Sequence, residues 1–193
     1  NEAAARSAAL LGPGDMLGVE HVDTTVHWSV ALAPVADKVA IDKAIRAVGP
    51  GGGGIIVPIT LEAGYKALGA APVNLKHMLL LADGSDAEDM GPPVRAMVSN
   101  ALRAGITTSI VAIGNGGDVP ELEFCSRLGG GRFYLIEDAQ RLPAVFTQET
   151  ILAARSAIVE KTFVPSRGAP SPVLQNVGVD GAPPLQGYVV TIP

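Results

Sequence analysis

The sequence predicts an α/β fold in which helices cover both faces of a mostly parallel β-sheet. Two observations carry this prediction. Short apolar segments alternate along the chain with segments of helical periodicity, and this alternation is typical of parallel sheets with crossover helices. The apolar segments in the second half of the chain are also continuous, which indicates strands that are buried on both faces. The predicted architecture is a three-layer α/β/α sandwich.

Composition limits the classes of function that are compatible with the chain. Its 193 residues fit one domain with an appendage. The formal net charge is -5 and the 14 Lys and Arg residues are scattered, so no nucleic-acid partner is expected. A single cysteine excludes an intramolecular disulfide and a zinc-thiolate cluster. No apolar run approaches the roughly 20 residues of a membrane helix, so no membrane segment is expected in this chain.

The first part of the chain predicts a helix, a strand pair and two more helices. Residues 2–11 have helix-forming composition and are followed by Gly12, Pro13 and Gly14, a combination of stop signals. The next two apolar segments are joined by a short turn, and the second alternates polar and apolar residues, which predicts a hairpin at a sheet edge. The strands are expected at 16–23 and 25–32, and the helices at 37–48 and 58–69.

The second part predicts a regular alternation of strands and helices. Residues 77–83, HMLLLAD, are a continuous apolar segment that predicts a strand ending at Asp83. Ligands of such sheets gather at the carboxyl ends of the strands, so Asp83 marks the expected binding edge. Further strands are expected at 106–114 and 132–137, and helices at 92–105, 119–131 and 138–154.

From residue 155 onward the sequence loses this alternation. The segment is rich in proline and glycine and contains two strand-like stretches, 157–164 and 187–192, joined by turn-rich sequence. The predicted organisation is therefore an α/β domain at 1–154 and an extended arm, or a linker to a following domain, at 155–193.

Several motifs in order resemble a von Willebrand factor type A domain. KHMLLLADG is similar to that family's strand ending in Thr-Asp-Gly. GITTSIVAIG and GGGRFYLIE resemble its later strand ending in Ala-Ile-Gly and its Gly-Gly-Arg-Tyr-Tyr segment. The resemblance covers residues 3–150 and starts inside the family's first helix, which implies a sheet that lacks the first, central strand. Within the family, the chain looks most similar to the region found in large bacterial membrane proteins with a glutamine-amidotransferase-like domain.

The resemblance implies a metal-ion-dependent adhesion site at the carboxyl edge of the sheet. In the family, an Asp-x-Ser-x-Ser loop, a threonine and an aspartate supply oxygen ligands to a hard cation. Here the Asp-x-Ser-x-Ser motif is absent, and the threonine position falls at Gly54 or Ile55. Only Asp83 matches, so the expected metal site is degenerate. No cofactor is expected beyond weakly held Mg²⁺ or Ca²⁺.

The function expected from this resemblance is a non-catalytic protein-interaction or scaffolding module. Its partner, a protein, would bind a face made of Gly53, Gly54, Asp83, Ser85, Asp86, Asn115 and Asp118. The unfilled sheet position would accept residues 187–192 or join copies of the chain into a homo-oligomer. The family context implies a soluble domain of a bacterial membrane-anchored protein.

Two enzyme-related alternatives stay open. The chain would be an auxiliary segment of a glutamine-amidotransferase-like enzyme whose catalytic domain lies elsewhere, or a nucleotide-binding α/β enzyme. Residues 49–54, GPGGGG, resemble a phosphate cradle, but they follow no apolar strand and lack the Lys-Ser/Thr of a P-loop. Cys125 with a histidine would form a nucleophile and base, although packing of a small buried thiol is the commoner role.

Overall fold

The computed structural model of the protein describes residues 1–49, 56–85, 90–154, 158–159, 162–166 and 183–189. Contacts between residues divide the chain into two units, Asn1–Ala154 and Arg155–Pro193. The first unit contains helices and two groups of strands, and the second contains a short pair of strands.

In the first unit, helices and strands follow one another in the order that the sequence predicts. The elements are α1 (Glu2–Leu10), β1 (Met16–Val22), β2 (Val26–Pro34), α2 (Lys38–Arg46), α3 (Val57–Ala70), β3 (Lys76–Ala82), α4 (Pro92–Arg103), β4 (Ile106–Ile113), α5 (Val119–Leu128), β5 (Gly130–Ile136) and α6 (Leu142–Ala154). A 3-10 turn, Ala139–Arg141, precedes α6. The predicted α/β fold class is therefore confirmed.

Local sequence signals determine where several helices begin. The Asp37 carboxylate caps α2 by accepting hydrogen bonds from the backbone N–H groups of Val39 and Ala40, at 3.0 and 2.9 Å. Proline lies in the first turn of α3, α4 and α5, where its missing N–H costs no helical hydrogen bond. Within the described ranges, none of the helices has both the length and the apolar character that spanning a bilayer requires.

The predicted helix over 119–131 extends too far at its C-terminal end. Helix α5 ends at Leu128, and Gly130 is the first residue of β5. Gly130 pairs with Thr108 of β4, and a Cβ atom on Gly131 would lie 2.1 Å from the Thr108 carbonyl oxygen. The glycines are needed because two strand backbones approach closely there. In the sequence alone they resemble a helix stop.

The strands of the first unit form a hairpin and a separate parallel sheet. Strands β1 and β2 pair antiparallel, with His21 opposite His27. Strands β3, β4 and β5 pair in parallel in that order, with Leu80 opposite Ile110 and Ile110 opposite Phe133. Helix α3 packs against strands of both groups. The described residues show no ladder between β1 and β3.

Helices cover both faces of the parallel sheet. Alternate residues of a strand point to opposite faces. Leu80 and Ile110 belong to the main core, which also contains apolar side chains of α3, α4 and α5. The other face of β3 carries His77, which lies beside Glu149 of α6. A smaller core joins α1 and α2 to the hairpin. This arrangement gives the three layers of the predicted sandwich.

The second unit contains two short antiparallel strands, β6 (Ile158–Val159) and β7 (Tyr188–Val189). Phe163 and Leu185 continue the pairing, with two backbone hydrogen bonds of 3.0 and 2.9 Å. The two strand-like stretches of the tail thus pair with each other. Tyr188 and Val189 belong to the stretch 187–192, which was expected to fill the unfilled sheet position, and within the second unit they pair with β6. Residues 190–192 lie outside the described residues.

Candidate functional site

The loops that follow β3 and β4 meet at the carboxyl edge of the parallel sheet. The backbone N–H of Asp118 donates a hydrogen bond of 2.9 Å to the carbonyl oxygen of Gly84. A Cβ atom on Gly116 would lie 2.0 Å from that same oxygen and 2.6 Å from the Ser85 hydroxyl. Only glycine fits at position 116 without displacing the neighbouring loop. The two loops are therefore held together through their backbones.

Asp83 closes strand β3 with a tight turn. One carboxylate oxygen accepts a hydrogen bond of 3.0 Å from the backbone N–H of Ser85, which is the geometry of an Asx turn. Gly84 has a φ of +76°, a conformation that favours glycine. The side chains of Asp83 and Ser85 are exposed. The Asp83-Gly84 pair thus shapes this edge of the sheet while its polar groups face solvent.

A shallow depression lies between these two loops. Its buried lining includes Val57, Met90 and Leu122, and its more exposed lining includes Asp83 and Ser85. The depression encloses a volume of about 0 Å³, whereas pockets for drug-sized ligands measure roughly 300–1,000 Å³. The described part of this edge therefore offers a surface for contact and no enclosed pocket of nucleotide size.

The structure describes the positions of some of the residues predicted for the binding face. Asp83, Ser85 and Asp118 line the same depression, and Asn115 is exposed in the loop after β4. Gly53, Gly54 and Asp86 lie outside the described residues. The sequence did predict which loops would meet, because the carboxyl ends of parallel strands share one edge.

The described residues at this edge do not supply the ligand set of a hard cation. Mg²⁺ and Ca²⁺ take six or more oxygen ligands. The depression has the carboxylates of Asp83 and Asp118 and the hydroxyl of Ser85, and one Asp83 oxygen already accepts a backbone hydrogen bond. Over the described part of the chain, no group of three or more His, Cys, Asp or Glu side chains is arranged to hold a metal ion.

Cys125 lies in the main core, where its packing role was expected. Its side chain is fully buried on α5, and the thiol lies 3.8 Å from a carboxylate oxygen of Glu121. Burial, reinforced by that neighbouring carboxylate, raises the pKa of the Cys125 thiol to about 11. Since the thiolate is the reactive form, this environment disfavours a nucleophilic role.

A buried polar cluster on the α6 face of the sheet was not predicted from the sequence. Glu149 is fully buried. It accepts hydrogen bonds from the Tyr134 hydroxyl at 2.5 Å and from Arg132 at 3.1 and 3.3 Å. His77 Nε2 lies 3.3 Å away, within ion-pair distance although not aligned as a hydrogen bond. We call these four residues the Glu149 cluster. The sequence signal that could have indicated the cluster was the alternation of Arg132 and Tyr134 on one strand.

The pKa of Glu149 reflects two opposed effects. Burial alone would raise it, but the neighbouring His77, Tyr134 and Ser109 groups, together with the Arg132 charge, lower the pKa to about 2. The carboxylate is thus ionised and compensated inside the fold. The cluster attaches α6 to β3 and β5, and it gives the sheet's second face a polar anchor.

A second unpredicted carboxylate, Glu20, lies on β1. Both of its oxygens are buried and have no hydrogen-bond partner among the described residues. A Cβ atom on Gly64 of α3 would lie 3.1 Å from one of these oxygens and 2.7 Å from the Met78 methyl group of β3. Burial raises the pKa of Glu20 to about 7. The carboxylate therefore lies in apolar surroundings between the hairpin and the sheet.

Comparison with known proteins identifies the fold. No model of a known protein family matches the chain, and no curated protein matches it. A von Willebrand factor type A protein from Catenulispora acidiphila is 20% identical, with a TM-score of 0.68 over 83% of this chain and 38% of that one. The chain thus spans well under half of that relative's length.

Two further solved structures agree with this match. Proximal thread matrix protein 1 from the mussel byssus, with a zinc-occupied MIDAS motif, is 21% identical, with a TM-score of 0.61 over 82% of this chain and 40% of that one. An aerotolerance-related membrane protein from Bacteroides fragilis is 8% identical, with a TM-score of 0.61 over 77% of this chain and 84% of that one. At this level of identity the likeness shows the fold alone, and the chain has the α/β fold of a von Willebrand factor type A domain.

Proposed function

We propose that the chain is a non-catalytic protein-interaction module that binds a partner through the carboxyl edge of β3 and β4. One observation carries the proposal: the two loops are locked together through Gly84 and Gly116, and they present exposed polar side chains around a shallow depression. A rigid, shallow surface suits a protein partner, whereas small molecules are held in concave pockets. The proposed contact residues are Asp83, Ser85, Asn115 and Asp118, together with Gly53, Gly54 and Asp86, which lie outside the described residues.

The proposed interaction does not depend on a tightly held metal ion. The mussel protein has a zinc-occupied MIDAS motif, which supports a weak metal role for Asp83. In the present chain, the resemblance places Gly54 or Ile55 at the threonine position of the motif, and Asp83 uses one oxygen in its own turn. We therefore assign Asp83 at most a weak Mg²⁺ or Ca²⁺ contact, with the side chain acting mainly in the turn.

The wider context of the module is part of the same proposal. The Bacteroides fragilis relative is a membrane protein, which supports a role for this chain as one region of a bacterial membrane-anchored protein. The association with a glutamine-amidotransferase-like domain rests on the sequence resemblance. Among the described residues, β1 and β3 each pair along one edge only, and the other edge offers a second contact through which copies of the chain would associate by strand pairing.

The proposal predicts that one surface substitution abolishes partner binding. Wild-type, Ser85→Arg and Arg103→Glu forms of the full chain would be used as baits in a lysate of the natural host. Ser85 is exposed at the proposed face, and Arg103 is exposed at the end of α4, next to the amino end of β4. We expect Ser85→Arg to reduce recovery of the partner by about tenfold or more, because a bulky cation at the centre of a contact costs more than about 1.4 kcal/mol.

The Arg103→Glu bait is the matched control, because it also changes one exposed charge. Its recovery should equal that of the wild type, and EDTA should leave both unchanged. Equal capture of the partner by all three baits, or its complete loss in EDTA, would contradict the proposal. Circular dichroism of each bait would verify that the substitutions leave the fold intact.

A further inference from the structure

The β1–β2 hairpin places two histidines directly opposite each other. The chain contains three histidines, and His21 of β1 pairs in register with His27 of β2. Their imidazole rings are stacked, with centroids 5.3 Å apart and planes 22° from parallel. Directly opposed side chains of an antiparallel pair have Cβ atoms about 5 Å apart, so both rings can reach a common point beside the hairpin.

A carboxylate lies next to the same pair. His27 Nε2 is 3.4 Å from one Asp23 oxygen and 2.9 Å from the Thr25 hydroxyl. The same Asp23 oxygen accepts hydrogen bonds from the backbone N–H groups of Thr24 and Thr25, which fixes the aspartate at the turn. His21 Nδ1 contacts the Ser29 hydroxyl at 2.9 Å, which leaves its Nε2 as the nitrogen available to another ligand.

The side chains of His27 and Asp23 at the hairpin are accessible to solvent. The side chains of His27 and Asp23 are 50% and 32% exposed, so an ion from solvent can reach them without opening the core. Two imidazoles and one carboxylate are donors of the type that borderline divalent transition metals prefer, whereas Mg²⁺ and Ca²⁺ prefer all-oxygen sites. The ligand chemistry at the hairpin therefore differs from that at Asp83.

We propose that His21 and His27, assisted by Asp23, form a surface site for a divalent transition metal ion of the Zn²⁺, Ni²⁺ and Cu²⁺ class. In the described structure the three side chains are adjacent but not yet closed around a point, and no metal-binding group of three is formed. Binding requires the stacked rings to rotate about their side-chain bonds, so that one nitrogen of each lies about 2.0–2.1 Å from a shared ion. Asp23 adds an oxygen, and water completes the coordination shell.

The site has a predictable order of affinity and a predictable pH dependence. For nitrogen and oxygen ligands, Cu²⁺ binds more tightly than Ni²⁺ or Zn²⁺. Imidazole binds a metal only in its neutral form, so binding weakens as the pH falls. Mg²⁺ and Ca²⁺ should not compete, because neither favours imidazole nitrogen.

Isothermal titration calorimetry of the untagged full chain with Zn²⁺, Ni²⁺ and Cu²⁺ tests this site. We expect saturable binding in the order given above, and weaker binding at about pH 5.5 than at about pH 7.5. His21→Gln and His27→Gln should each weaken Zn²⁺ and Ni²⁺ binding by about tenfold or more, because each removes one of two imidazole ligands. Asp23→Asn should have a smaller effect.

Two controls use the same chain. His77→Gln removes the third histidine, which lies on β3 in the Glu149 cluster, and Glu62→Gln removes an exposed carboxylate on α3. Neither should change Zn²⁺ or Ni²⁺ binding. In wild-type protein, Zn²⁺ should shift the imidazole NMR signals of His21 and His27 and leave those of His77 unchanged. Binding that survives both hairpin substitutions, or the absence of saturable binding in the wild type, would overturn the proposal.

Discussion

Glu149→Ala is expected to lower the free energy of unfolding by about 3 kcal/mol, because it removes the central acceptor of a buried polar cluster. The substitution leaves the Tyr134 hydroxyl and the His77 imidazole without their carboxylate partner. Arg132 is nearly half exposed, so water partly solvates its charge after the substitution. The expected loss of stability is therefore at the lower end of the range for removing one partner of a buried ion pair. Urea denaturation followed by circular dichroism would measure the difference.

The Glu149 cluster also predicts a pH dependence. The pKa of Glu149 is lowered from 4.5 to about 2 in the folded chain. A lowered carboxyl pKa stabilises the fold above the unfolded value, and this contribution is lost as the pH falls from about 4.5 towards 2. The wild type should therefore lose more stability than Glu149→Ala over this range.

The control for both measurements is Glu123→Ala. Glu123 forms an ion pair with Arg127 on the surface of α5, and such exposed pairs contribute about 1 kcal/mol or less. If Glu149→Ala lowers the free energy of unfolding by no more than Glu123→Ala does, the cluster does not anchor α6.

Glu20→Gln is expected to stabilise the chain at neutral and alkaline pH and to have little effect near pH 5. The pKa of Glu20 is raised to about 7 by burial, and its oxygens have no hydrogen-bond partner among the described residues. Converted in full, the rise of the Glu20 pKa above its ordinary value would correspond to a destabilisation of roughly 3 kcal/mol. Because the side chain is only partly buried, we expect Glu20→Gln to raise the free energy of unfolding by about 1–2 kcal/mol at pH 8. Glutamine keeps the shape and removes the charge.

The sign of this pH effect follows from proton binding. Between about pH 4.5 and 7 the folded chain holds the Glu20 proton more tightly than the unfolded chain does, so wild-type stability falls as the pH rises through this window. Thermal unfolding at pH 5 and pH 8 would show the difference. Glu62→Gln, an exposed position on α3, should leave the melting temperature unchanged at both values. A Glu20→Gln effect that is equal at the two pH values would contradict a charge-burial origin.

Much of the fold could be predicted because its signals are local. The continuous apolar segment before Asp83 and the proline-started helices depend on neighbouring residues in the chain. The end of α5 could not be predicted in this way, because Gly130 and Gly131 are required by close contact with Thr108 on another strand. The same limit applies to the Glu149 cluster, whose members come from three separate elements. A single glutamate in helix α6 gives no indication of its partners.

In the candidate site, too, features set by neighbouring residues could be predicted, whereas contacts between distant residues could not. The turn at Asp83-Gly84 follows from two adjacent residues, and the shared edge follows from parallel topology. The close packing of Gly116 against Gly84 is a contact between loops, and the opposed histidines depend on the register of the hairpin. Both features were visible only in the structure, because strand register and contacts between loops are not encoded in one short sequence motif.

Titration of the carboxyl edge with hard cations tests the central claim most directly, namely that this edge acts without a tightly bound metal ion. Isothermal titration with Mg²⁺, Mn²⁺ and Ca²⁺ would compare the wild type with Asp83→Ala. Because the described residues provide few of the six or more oxygen ligands needed, we expect dissociation constants of about 1 mM or weaker for both proteins. Micromolar binding by the wild type that Asp83→Ala abolishes would contradict the account and would assign a functional metal site to Asp83.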